Sequence, residues 1–149
     1  MKDSSMLLMA LAVGGLLAIQ GMVNAQLGKA LPHPLQASLI SFSVAMLFLG
    51  LLMFFYGIKV PALQTLGEIP WYLYTGGLLG AIYVTTVLVL IPRAGVANVI
   101  LAVFVGQMLL SICADHFGWF NTPVRTLDIS RASGCILLLG GLYLIQSRA

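Results

Sequence analysis

Two amides one helical turn apart, Gln20 and Asn24, and a row at the same spacing, Gln107, Ser111 and Asp115, are the groups in this chain best placed to do chemistry. Residues four apart share one face of a helix, so each set draws a line of hydrogen-bonding groups through otherwise apolar sequence. Neutral amides and hydroxyls do not supply a nucleophile or a strong acid. They can hold a polar solute, an ion or a neighbouring helix. Asn98 lies in a second row of the later segment, Ala94, Asn98, Ala102 and Gly106, whose small residues suit close helix contact. Tyr83 adds a phenol that wants a partner when buried, in a cavity wall or between helices.

A catalytic reading would rest on Cys113, Asp115 and His116. Catalysis needs a fixed mutual geometry, yet side chains two apart on a helix point about 160° away from each other. An enzyme is therefore not expected. Cys113 and Cys135 are too few for a disulfide framework or a zinc site and read as small apolar fillers, so neither metal nor cofactor is expected. His33 reads as an interfacial side chain in a proline-bounded turn. Asp115 is a candidate for gating or proton transfer at the membrane edge, where capping loop amides is its competing role.

The elements that must position these groups are membrane helices. Sixty per cent of residues are hydrophobic, 7% are charged and the mean hydropathy is +1.06, whereas soluble domains carry about 25% charged residues. Charges fall at segment boundaries, because one at a helix centre costs about 2.5 to 3.5 kcal/mol on insertion scales. Five uncharged windows predict helices at about 6–24, 35–58, 69–91, 94–114 and 129–147 in a single transmembrane domain. A secretory signal peptide ending near Val23-Asn24-Ala25 fits less well, since the apolar run is long and further spans follow. Gly14 and Ala18 in the first window, and Gly76 and Gly80 in the third, have small-residue spacing for packing. Ser38, Ser41 and Ser43 can bond the carbonyl four residues back, so they are weak evidence of a site. Pro92 is expected to end the third helix, residues 57–67 to form a loop, and Asp128 to cap the fifth helix. No basic run suggests nucleic acid.

Five spans place the termini on opposite faces. Lys2, Lys59, Arg125 and Arg131 then oppose Lys29, Arg93 and Arg148, four against three. So flat a balance gives little preference for one insertion direction. Two copies could therefore insert in opposite senses, the arrangement that makes inward-open and outward-open states of a carrier near-equivalent.

The sequence resembles the YdcZ-like branch of the drug/metabolite transporter superfamily. The resemblance is carried by Gln20 with Asn24-Ala25-Gln26-Leu27-Gly28, by Leu39-Ile40-Ser41-Phe42, and by Gly76-Gly77-Leu78-Leu79-Gly80-Ala81. It continues through Pro92-Arg93-x-Gly95, Gly106-Gln107 with Ser111, and Asp115-His116-Phe117-Gly118. It implies a five-helix half-transporter of the bacterial inner membrane, paired with an inverted second copy or a homologous partner. The small multidrug-resistance branch, similar in size, has a glutamate in its first helix that binds protons and cationic drugs in turn. No carboxylate lies between Met6 and Asn24 here, so that exchange mechanism is not expected.

The reading is an all-α integral membrane protein, a five-helix protomer in an antiparallel dimer. Its expected function is export of a small polar or amphipathic metabolite, with Asn24, Asn98, Gln107, Gln20, Tyr83 and Ser111 contacting the cargo. The alternative is a non-transporting scaffold or subunit of a larger complex.

Overall fold

A computed structural model describes residues 2–147, with side chains from Ser4 onward. Lys2 and Arg148, both in the charge count, have side chains outside that description. Six α-helices form: α1 (Lys2–Ala30), α2 (Pro34–Phe55), α3 (Leu63–Glu68), α4 (Thr75–Ala94), α5 (Val96–Phe117) and α6 (Ile129–Gln146). Short 3-10 turns at Trp71–Tyr74 and Trp119–Asn121 precede α4 and follow α5. There is no strand among the described residues. Five segments are long and apolar enough to cross a membrane: Ser4–Ala30, Pro34–Phe55, Trp71–Ala94, Val96–Phe117 and Ile129–Gln146. At 1.5 Å per residue, the shortest, 18 residues, extends about 27 Å and nearly matches a hydrocarbon core of about 30 Å.

The chain forms two compact units, residues 1–93 and 94–149. In the first, α1, α2 and α4 pack around small residues. Ala25 and Ala37 are buried, and a Cβ on Gly28 would stand 3.0 Å from Leu88 Cδ1 and 3.9 Å from Ala37 Cβ. The buried Val87, Leu88 and Ile91 make the inner face of α4. A Cβ at Gly80 would touch the Phe42 ring at 3.6 Å, which places α4 close to α2. By contrast, a Cβ at Gly14, Gly76 or Gly106 would meet nothing within 4 Å.

Local chemistry explains where these helices start and stop. His33 caps α2: its Nδ1 accepts from Leu35 N at 3.2 Å, while its own N–H donates to Gln36 Oε1 at 3.2 Å, and Pro34 takes the first helical position. The imidazole thereby satisfies an orphan helix amide. Ser43 bonds the Leu39 carbonyl at 2.8 Å as expected, but Ser38 does not take the local bond and instead meets Thr85 Oγ1 at 2.7 Å across α2 and α4. A double-mutant cycle on Ser38→Ala and Thr85→Val should read a coupling of about 0.6 kcal/mol, the usual size for such a bond between membrane helices. Zero coupling in reversible unfolding would mean that the two hydroxyls do not form this bond.

Two expectations need correction. Pro92 does not end α4; the helix continues to Ala94, because proline removes one amide bond near a terminus without forbidding another half turn. Residues 57–67 are not wholly loop, since Leu63–Glu68 forms α3, where Tyr74 Oη donates to the Leu66 carbonyl at 2.7 Å.

Candidate functional site

In the first unit, α1 brings Gln20 and Asn24 to the same side, and α4 places Tyr83 opposite them. All three line one small pocket together with Leu17, Gly21, Val84 and Val87, with room for about 10 Å³. Such a volume is at the lower bound for one water molecule. Asn24 is only 6% exposed, yet its amide has no hydrogen-bond partner among the described residues. Gln20 is exposed, Tyr83 is half-buried, and neither side chain is bonded within the described chain. Asn24 as a residue is buried, but its amide nitrogen and oxygen still reach accessible space, so its donors and acceptor remain open to a solute or a water.

In the second unit, α5 and α6 line a half-open cavity of about 380 Å³ formed by Met108, Ser111, Ile112, Asp115, Arg131, Gly134, Cys135 and Leu138. Its walls are mostly apolar and its charges sit at one end. There Arg131 Nη1 donates to Asp115 Oδ2 at 3.4 Å and to the Arg125 carbonyl at 3.3 Å. The two side chains are 27% and 36% exposed. A single long contact of this kind contributes at most about 1 kcal/mol.

The connection between α5 and α6 is tied to its own helix ends. Gly118 closes α5 in the left-handed conformation at φ 65°, and Phe120 and Asn121 follow at φ 53° and 61°. Arg125 N donates to the Asp115 carbonyl at 2.9 Å, and Leu127 N donates to His116 Nδ1 at 3.1 Å. Thr122 Oγ1 donates to the Trp119 carbonyl at 2.9 Å, and Asp128 caps α6 through Arg131 N at 2.7 Å. Phe117 and Trp119 stack with centroids 6.1 Å apart. His116 thus anchors a loop amide, while Cys113 is exposed and Asp115 is half-buried.

The expected cargo residues are divided accordingly. Gln20, Asn24 and Tyr83 converge in one unit, whereas Ser111 and Asp115 share the cavity of the other. Asn98 is half-buried and donates its amide to the Ala94 carbonyl at 2.8 Å, which leaves its own carbonyl oxygen unbonded among the described residues. Gln107 is exposed and lies outside the lining of the α5–α6 cavity. Arg131 and Cys135 were not singled out as cavity residues from sequence.

A model of the DMT_YdcZ family, described as "Putative inner membrane exporter, YdcZ", matches residues 5–144. The chain belongs to this YdcZ family. The match covers all five membrane-spanning segments except Ser4 at the start of the first and the last two residues of the fifth. No curated protein and no solved structure matches the chain. Family and helices together make the protein a membrane transporter of the inner membrane, and an exporter family is not an enzyme class.

Proposed function

We propose that the protein exports a small polar or amphipathic metabolite by alternating access, two copies lying antiparallel in the membrane. The carrying observation is Asn24, a buried residue whose accessible amide has no partner among the described residues and sits beside Gln20 and Tyr83. An unused amide on a pocket wall is a preorganised contact for a solute's hydroxyl, carbonyl or amide. In this reading Asn98, Gln107 and Ser111 add neutral polar contacts along the path, and Asp115 serves the gate at its end. The near-even basic charge on the two faces supports insertion in both directions. The open glycine positions at Gly14, Gly76 and Gly106 offer a second copy room to approach closely.

The test joins topology to flux. Carboxyl-terminal reporters, one active only in the cytoplasm and one only outside it, should both give signal from a single expressed gene. Proteoliposomes loaded with a cytosolic small-molecule extract should release a defined subset of compounds, followed by mass spectrometry. Signal from one reporter alone would remove the antiparallel pair, and no release above empty liposomes would remove transport.

A further inference from the structure

We propose that the α5–α6 cavity is a binding site for a zwitterion, a head bearing both an ammonium and an oxyanion on a short apolar body. The proposal concerns binding and does not depend on the cavity being the transport path. It stands on three features of one pocket. The volume, about 380 Å³, lies within the range of small-molecule sites. The walls from Met108 and Ile112 to Leu138 are apolar and would take an aliphatic or aromatic body. At the end of the cavity sit one cation and one anion that only partly satisfy each other.

The unused valence decides the ligand class. Arg131 spends Nη1 on Asp115 and on the Arg125 carbonyl, while its Nε and Nη2 donate to nothing among the described residues. That free edge of the guanidinium matches a carboxylate or phosphate in two-point contact. Asp115 accepts through Oδ2 at 3.4 Å, and its Oδ1 has no partner among the described residues. An ammonium fits there. A lone anion would meet Asp115, and a lone cation would meet Arg131; a zwitterion answers both. Ser111, on the same wall, supplies a neutral hydroxyl beside the head. Two sources carry this chemistry: a free amphipathic amino acid and the headgroup of phosphatidylethanolamine.

Cys135 reports occupancy, since it lines the cavity and is half-buried. With the exposed Cys113 changed to serine, full-length protein in detergent is alkylated with a maleimide in the presence of phenylalanine, phenethylamine or 3-phenylpropionate. Phenylalanine should slow alkylation of Cys135, and the two singly charged analogues should not. Arg131→Lys keeps the charge and loses the fork, so half-protection should need about tenfold more phenylalanine, the size of one charge-assisted hydrogen bond. Asp115→Asn should weaken protection similarly, with an unchanged melting temperature showing that either variant is folded. Nanodiscs separate the sources. Protection by phosphatidylethanolamine but not by phosphatidylglycerol, with no added amino acid, assigns the site to the lipid headgroup and upholds the zwitterion chemistry. Protection by phenylalanine in both membranes assigns it to a free solute. Equal protection by all three small molecules, no protection by phenylalanine or phosphatidylethanolamine, or protection indifferent to both substitutions overturns the proposal.

Discussion

Replacing Asn24 with alanine should reduce export at least about tenfold while changing the stability of the folded protein by no more than about 0.5 kcal/mol. The two halves of this expectation have one cause. Asn24 is 6% exposed, yet its amide bonds to nothing among the described residues and keeps access to the pocket, so it contributes no hydrogen bond to the fold. Alanine removes the amide and leaves Leu17, Val84 and Val87 of the pocket wall in place. A residue retained for structure would behave in the opposite way: removing it would lower the melting temperature, and flux would fall only with the folded fraction. Melting of detergent-purified protein and release of compounds from proteoliposomes separate the cases. Lower stability with full activity per folded molecule would make Asn24 a packing residue and remove the main support for the cargo site.

Gly118→Val should destabilise the second unit by about 2 kcal/mol and free the α5–α6 connection. At φ 65° a residue with a Cβ is strained by about 1 to 2 kcal/mol, and a β-branched one more. At Gly118 the added Cβ would also come within 2.9 Å of Val124 Cγ2, so Val124 has to give way. With the strained φ, displacement of its backbone would pull Arg125 N from the Asp115 carbonyl and Leu127 N from His116 Nδ1. Gly57 provides the control. Its φ is also 65°, but a Cβ there meets open space, so Gly57→Val carries the strain without the collision. Limited proteolysis in the 118–128 segment should rise for Gly118→Val and stay at background for Gly57→Val. Equal effects would mean that the contact with Val124 does not hold the loop.

The membrane architecture was legible because hydrocarbon filters charge so strongly: Lys29, Lys59, Glu68, Arg93 and Asp115 bracket the spans almost unaided. The cap at Asp128 was legible too, since an N-cap depends on its neighbours within one turn. Pro92 and α3 were misjudged because a proline near a helix end and a short amphipathic turn are settled by small differences that neighbouring structure can reverse. The convergence of Gln20 and Asn24 was written in their spacing, but the approach of Tyr83 from α4 was not, nor the partnership of Ser38 with Thr85. Arg131 read as one boundary charge, because sixteen positions separate it from Asp115 and no periodicity spans that interval.

The connections between spans differ sharply in length, and this has a consequence for biogenesis. Three residues, 31–33, join α1 to α2, and Gly95 alone joins α4 to α5, whereas the longer stretches 56–70 and 118–128 separate the other spans. The two tight turns therefore offer the insertion machinery almost no tether to read beyond Lys29 and Arg93, and hauling them across the bilayer requires moving very little polar chain. Adding or deleting a single lysine beside either tight turn should accordingly be enough to bias which way a nascent copy enters.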